Sequence, residues 1–315
     1  MTAPRIAVVG SYATGLTMRV DRLPNPGETL LGKGYRVDFG GKGSNQAVGC
    51  ARLGAKLNFV TKIGQDHFGD MALGLYRDEG IDVASVIQVR DEATGVGFII
   101  VDAEGNNCIT VDPGANNLLM AEEVSKCLDP LTFEAVLTQL EIPVAAAGAA
   151  MARGREKGAV TILNPAPVRA LPQSVLRLID ILTPNLSEAK VLMGRRPDVS
   201  IRPETVAREL IQSGVKNIVM TLGEQGALLM TATSAVHIPA IRVSATDTTG
   251  AGDAFNAGLA VALASGATLE DAARFAVVTG GLAVTREGVI PSLPRREEVS
   301  QFYRQQNQPA PKWLR

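Results

Sequence analysis

Histidine is scarce in this chain: His67 and His237 are the only two in 315 residues. A His-based triad or a multi-histidine metal site would use nearly the whole supply, so both are read as surface or strand-packing residues. The three cysteines, Cys50, Cys108 and Cys127, lie far apart. They show neither the paired spacing of a structural zinc site nor a disulfide framework. An excess of one charge is also missing, since 31 Lys and Arg face 32 Asp and Glu for a formal net charge of -1. Without a global basic field, nucleic acid is not an expected partner. The uncharged stretch Ala254 to Leu269 is rich in Ala and Gly and too short for a membrane span, so no membrane partner is expected either. The first residues run almost directly into Ile6-Ala7-Val8-Val9 without the longer apolar core and cleavage site of a signal peptide. A cytoplasmic protein is the expectation. Neither a P-loop nor a Gly-x-Gly-x-x-Gly turn after a strand occurs.

What is present is an ordinary globular balance, 46% apolar and 20% charged, in a chain long enough for one sizeable α/β domain. β and α patterns alternate from end to end, which argues for a mainly parallel sheet covered by helices. Core strands are expected at Ile6 to Val9, Leu57 to Ile63, Ala135 to Gln139, Ala159 to Leu163, Ile179 to Thr183 and Ile218 to Leu222. Thr17 to Phe39 and Thr94 to Val111 break the rhythm and read as hairpins that form a small sheet beside the site, or else as edge strands of the main sheet. The expected organisation is a single domain over 1–303, with lid hairpins near 15–39 and 94–112. Residues 304–315, which lack an apolar period, are expected to be a mobile tail.

Two segments carry chemistry. In Asp247-Thr248-Thr249-Gly250-Ala251-Gly252-Asp253 a glycine loop feeds an apolar helix. Its amides can turn toward an anion at the helix N-terminus, and Asp253 is placed to accept a proton from a hydroxyl. An Asp at that position also serves as an ordinary helix cap. In Gly40-Gly41-Lys42-Gly43-Ser44-Asn45 three glycines permit close approach of a ligand, Lys42 supplies a cation, and Asn45 supplies donor and acceptor groups. A plain glycine-rich turn before a helix reads the same way.

Together these segments resemble the two signatures of the ribokinase family of carbohydrate kinases. The resemblance runs along nearly the whole chain through Gly10-Ser11, Pro26-Gly27-Glu28-Thr29, Thr94-Gly95-Val96, Gln139-Leu140-Glu141, Asn164-Pro165-Ala166-Pro167, Thr183-Pro184-Asn185 and Thr221-Leu222-Gly223. It implies a ribokinase-like three-layer α/β core with a small β lid, and commonly a homodimer through that lid. It also implies transfer of the ATP γ-phosphate to a sugar hydroxyl, with Asp253 as base and Gly250, Ala251 and Gly252 as anion hole. Gly41, Lys42, Gly43, Asn45 and Glu141 match substrate contacts, and Asn185, Thr221, Gly223, Gly226 and Gly252 match nucleotide contacts. Glu188, in Asn185-Leu186-Ser187-Glu188, matches an indirect organiser of Mg2+. Asp247, Thr249, Ala283, Arg286, Gly288 and Ser292 match positions around a monovalent cation, expected to be K+.

The chain departs from the ribokinase pattern after Gly10-Ser11. Where that pattern has Asn and Asp, this chain has Ala13 and Gly15, so a carboxylate that grips neighbouring sugar hydroxyls is missing. Ribose is therefore doubtful as the substrate. A nucleoside kinase of the same family and a catalytically silent sugar-sensing protein are the competing readings.

Overall fold

In the computed structural model, which describes residues 2–314, the first strand already fixes the layering. Along β1 (Arg5–Val9), Ile6 and Val8 enter one apolar core while Ala7 and Val9 enter another, and all four are fully buried. A strand that is apolar on both faces needs cover on both. The other strands are β2 (Ala13–Arg19), β3 (Lys33–Gly40), β4 (Lys56–Gly64), β5 (Val86–Val89), β6 (Val96–Val101), β7 (Asn107–Asp112), β8 (Ala135–Thr138), β9 (Val160–Leu163), β10 (Ile181–Leu182), β11 (Asn217–Thr221), β12 (Ala227–Met230) and β13 (Ala235–Ile238). The helices are α1 (Lys42–Arg52), α2 (His67–Asp78), α3 (Ala121–Leu128), α4 (Val144–Glu156), α5 (Gln173–Leu176), α6 (Leu186–Leu192), α7 (Pro203–Gln212), α8 (Ala251–Ala264), α9 (Leu269–Ala283), α10 (Val289–Ser292) and α11 (Arg296–Gln305).

Nine strands make the main sheet, in the order β13-β12-β11-β10-β9-β8-β1-β4-β5. The pairs from β11 to β5 are parallel, and β12 and β13 extend one edge antiparallel. On one face, α1, α2, α8, α9 and α11 pack with Ile6, Val8, Phe59 and Leu137. On the other, α3, α4, α6 and α7 pack with Ala7, Val9, Val60 and Val136. The result is a three-layer α/β core. Among the described residues, no helix is long and apolar enough to cross a membrane.

Five of the six expected strands appear with boundaries shifted by a residue or two. The sixth, expected over Ile179 to Thr183, is the two-residue β10. At its start, Asp180 N is shared between the Thr161 carbonyl and Thr161 Oγ1, while Thr161 N donates to Asp180 Oδ2, so side-chain bonds compete with the ladder there. The outer strands β5, β12 and β13 had no expectation attached.

The two irregular stretches fold into a separate four-stranded sheet, order β3-β2-β6-β7, rather than as edge strands of the main one. Each hairpin is antiparallel, and β2 pairs with β6 in parallel. Two side chains, the buried Asn116 and the half-buried Asp66, tie its stems to the core. Asn116 accepts from Tyr12 N at 2.9 Å and donates to Tyr12 O at 2.7 Å. Asp66, the N-cap of α2, accepts from Thr94 N and Thr94 Oγ1, both at 2.7 Å.

The expected mobile tail needs correction. Residues 304 and 305 finish α11, and residues 312–314 form a short 3-10 turn that docks on the core. Leu314 is buried, the Trp313 ring stands edge-on to Phe275 with centroids 6.2 Å apart, and Arg296 donates to the Trp313 and Leu314 carbonyls. Three apolar residues, Ala310, Trp313 and Leu314, are too few to show a period yet enough to cover a patch of core. Arg315 lies outside the described residues.

Candidate active site

The carboxyl ends of the parallel strands β1, β8, β9 and β10 converge with the N-termini of α1 and α8, the crevice where open α/β sheets place ligands. Close backbone approach brings α1 there. A Cβ on Gly43 would lie 2.4 Å from Ser11 N and 2.5 Å from the Gly10 carbonyl carbon, so any side chain would push the helix off the end of β1. α8 begins at Gly250, whose φ of 82° lies in the left-handed region. The two helices stay close farther along, where a Cβ on Gly49 would meet Ala257 Cβ at 2.7 Å.

Asp253 sits in the first turn of α8 and is buried. Its Oδ2 accepts from Asn45 Nδ2 at 2.8 Å, and its Oδ1 accepts from Gln46 Nε2 at 2.9 Å. Gln46 is itself held by Asn164, which accepts from its Nε2 at 3.1 Å, and by Gln139, which donates to its Oε1 at 2.6 Å. Burial raises the Asp253 pKa against the opposing pull of Lys42 and the two amides. For Lys42, burial lowers the pKa, but Asp253, Glu141 and Glu188 together outweigh it and leave the ammonium above its ordinary value. The buried Asn45 Oδ1 has no hydrogen-bond partner, an open acceptor one amide away from Asp253.

Glu141 lies beside the same crevice, after β8. Its Oε2 accepts from Ser11 Oγ at 2.6 Å and from Lys42 N, the first amide of α1, at 2.8 Å. Gly41, with φ 84°, is the N-cap of α1, so Gly41, Lys42, Gly43, Asn45 and Glu141 are gathered at one place with Asp253.

A cavity of about 500 Å3 adjoins them, with Asn185, Thr221, Gly223, Gly226, Ala251 and Gly252 in its lining. Its inner wall is apolar, from Ile241, Val243, Phe255 and Val277, and suits a flat aromatic base. Asn185 and Glu188 cap α6 reciprocally: Asn185 Oδ1 accepts from Glu188 N, and Glu188 Oε2 accepts from Asn185 N, both at 2.8 Å. Burial raises the Glu188 pKa, with the neighbouring Asp253 charge adding to it. Partly buried acid near Lys42 suits a divalent cation carried on phosphate oxygens.

Asp247 clamps two loops, Oδ1 accepting from Thr249 N at 2.9 Å and Oδ2 from Gly288 N at 3.0 Å. Ala283 ends α9 next to Val284, whose carbonyl accepts from Thr246 N and Asp247 N. Ser292 is buried in α10 and donates to Val289 O at 2.8 Å. The Arg286 side chain turns to Glu298 on α11. Through its bonds to Thr249 and Gly288 the Asp247 carboxylate ties the loop before α8 to the loop before α10. A second cavity of about 460 Å3, lined by Arg155, Asp180 and Lys216, lies at the opposite, amino edge of the strands. Both of its cations pair with Asp180. His67 and His237 are exposed in α2 and β13, apart from the site.

Sequence reading missed Gln46, which follows Asn45 directly, and the supporting Gln139, Asn164 and Ser11. A run of polar residues inside an otherwise apolar helix face was the available signal for Gln46. The apolar cavity wall comes from four separate segments and had none.

A buried carboxylate beside two helix N-termini, next to a nucleotide-sized cavity, is an arrangement suited to phosphoryl transfer to an alcohol. The comparisons with known proteins narrow the class. Residues 3–296 match the model of the pfkB family carbohydrate kinases, and the chain belongs to that family. It is 37% identical over 300 residues to a ribokinase from Staphylococcus aureus (strain COL), covering 94% of this chain and 99% of that protein. It is 36% identical over 299 residues to a deoxyribokinase from Salmonella typhi, covering 94% and 98%. The solved structure of Arabidopsis thaliana ribokinase complexed with ribose and ATP superposes with a TM-score of 0.87 at 31% identity, covering 95% of this chain and 98% of that one. The chain is an ATP-dependent carbohydrate kinase with a ribokinase-like fold.

Proposed function

We propose that this kinase phosphorylates a hydroxyl of a small sugar, with Asp253 as general base and the amides of Gly250, Ala251 and Gly252 as the anion hole. The observation that carries the reading is the buried Asp253 carboxylate, held by Asn45 and Gln46 where α1 and α8 converge. With its oxygens fixed from one side, the carboxylate orients the substrate hydroxyl and takes its proton as the bond to phosphorus forms. Its raised pKa moves it toward the alcohol without approaching it, so positioning and charge stabilisation supply most of the rate.

Asn45, Lys42, the Gly41–Gly43 backbone and Glu141 hold the sugar, with the open Asn45 Oδ1 accepting from a hydroxyl. The cavity holds ATP, its base against Ile241, Val243, Phe255 and Val277, and Asn185, Thr221, Gly223 and Gly226 bound its phosphates and ribose. Glu188 would organise a Mg2+ ion indirectly, the ion supplying positive charge against the phosphates, and the Lys42 ammonium would add its own charge there. The Asp247 loop, with Thr249, Ala283, Arg286, Gly288 and Ser292, would order around K+ and so present the anion hole. Val37 and Phe98, exposed side by side on one face of the lid, support a homodimer through that sheet. A pentose or close relative is the favoured substrate class, since two relatives are named for ribose and deoxyribose. Ribose itself is disfavoured by Ala13 and Gly15.

Incubating the protein with Mg-ATP and a panel of pentoses, deoxy sugars, ketoses, sugar acids and nucleosides tests this. A phosphorylated sugar identified by mass spectrometry, matched mole for mole by ADP, is expected. ADP release with no phosphorylated product from any sugar would refute the reading.

A further inference from the structure

The loss of a carboxylate at Gly15 coincides with a carboxylate directly across the strand pair. In the antiparallel register of β2 and β3, Gly15 lies opposite Asp38. Opposite residues present their side chains to the same face. The space at Gly15 confirms the direction, because a Cβ built there would lie 3.8 Å from Asp38 Cβ and 3.5 Å from Ile99 Cδ1. We propose that Asp38, with Arg36 beside it, grips two adjacent hydroxyls of the substrate, reaching the pocket from β3 where a side chain on β2 is missing. The inference rests on the sugar-kinase reading and names the residue pair that sets its specificity.

The two faces of the lid are told apart by their neighbours. Thr14 and its partner Phe39 belong to the face turned to the core: Thr14 is fully buried against the Tyr12 hydroxyl, and Phe39 packs on the α/β core. Gly15 and Asp38 therefore belong to the other face. β3 itself borders the crevice. β3 leads straight into Gly41 and Lys42, and it packs against α10, whose Val289 lies at Gly250.

The chemistry of the pair suits a diol. Arg36 Nε donates to Asp38 Oδ2 at 2.6 Å, and both side chains keep substantial exposure, 50% and 38%. Among the described residues, Asp38 Oδ1 and both Arg36 terminal nitrogens take no hydrogen bond. The pair thus offers free acceptors and free donors side by side, matching hydroxyls that both donate and accept. Around it on the same face stand Gly15, Thr17, Gly97 and Ile99, none of them a carboxylate. A half-exposed ion pair adds little to stability, so folding alone does not call for Asp38 at this position.

The test measures sugar binding and turnover separately. Binding of the panel sugars is followed by calorimetry with a non-hydrolysable ATP analogue, for wild type, Asp38→Ala, Asp38→Asn and the double variant Gly15→Asp/Asp38→Ala. The expected result is a loss of about tenfold or more in affinity for the best sugar in both single variants. ATP-analogue affinity and melting temperature should be unchanged, with KM raised far more than kcat is lowered. The double variant should regain sugar binding with its preference moved toward ribose. Unchanged sugar affinity in Asp38→Ala overturns the proposal, as does a best ligand that is a sugar acid bound more tightly once Asp38 is gone. Sugar binding that needs Asp38 in a protein that transfers no phosphate would uphold Asp38 and sink the kinase mechanism instead.

Discussion

Asn45 and Asp253, 208 residues apart in the chain, meet through a 2.8 Å hydrogen bond between two helix N-termini. Because Gln46 takes the other carboxylate oxygen, successive residues of α1 fix both oxygens of a side chain on α8. The base is therefore aimed by the packing of two helices, and that packing depends on Gly49 lying against Ala257.

Asp253→Asn keeps the size and the network, since a flipped Asn45 amide can present its free oxygen to the new NH2. Single-turnover phosphorylation should fall by roughly two to four orders of magnitude with ATP binding retained. The same variant reports the burial cost. Burial raises the Asp253 pKa in the folded state, so the carboxylate lowers stability as pH rises from the unfolded value, near about 3.9, through the folded one. The full penalty applies above that window and disappears below it. Melting curves should show Asp253→Asn more stable than wild type at pH 8, with the gap closing in acid. Wild-type turnover would exclude Asp253 as the base.

Gln46→Leu removes a donor to Asp253 and leaves the Asn164 oxygen and the Gln139 amide without it. Loss of a satisfied buried network should cost about 1–3 kcal/mol in urea unfolding. The Gln46 bond lowers the Asp253 pKa, so its removal should raise that pKa further and move the acid limb of kcat/KM to higher pH. An unmoved limb would mean that the limb belongs to another group.

The sequence made the parallel core legible because its strands are short continuous apolar runs, as in Ile6 to Val9, and the glycine loops legible because their spacing is rigid. It also placed Asp253, Asn45, Glu141 and Asn185 in one crevice by resemblance. Gln46 was not legible, since its role depends on a partner, Asp253, that only tertiary packing supplies. Leu314 was missed for a related reason: a lone apolar residue after a polar stretch has no period, and its burial depends on Phe275 and Arg296. Asp38 became informative only once strand register set it opposite Gly15.

K+ should raise kcat through the Asp247 loop without touching the sugar. Turnover is compared in K+ and in a large organic cation at equal ionic strength and saturating Mg-ATP. Equal rates after removal of trace alkali metal would leave Asp247 as a loop clamp alone, through its bonds to Thr249 and Gly288.

Removing residues 307–315 should destabilise the protein rather than trim a loose end. Leu314 is buried and Trp313 packs on Phe275, and exposing one such side chain costs about 1.5–3 kcal/mol. Urea unfolding of the truncated chain and of Leu314→Ala should show losses of that order. An unchanged midpoint in both would return this segment to the status of a mobile tail.

Gly250 and Gly252 separate stability from catalysis within one loop. Gly250 has φ 82°, and a Cβ there would meet Val289 Cγ1 at 2.7 Å, so Gly250→Ala combines backbone strain with a clash and should destabilise by about 1–3 kcal/mol. Gly252 has no left-handed φ, and a Cβ there would meet nothing within 4 Å. Gly252→Ala should therefore fold at least as stably as wild type, helped by the smaller entropy of its unfolded chain. That open space is where the transferring phosphoryl group would sit, so the added methyl should still lower kcat, by about tenfold or more if one amide of the anion hole is blocked. Melting temperature and single-turnover rate measured on both variants give the contrast directly. A Gly252→Ala protein that is both stable and fully active would place the phosphoryl group elsewhere and remove this loop from the mechanism.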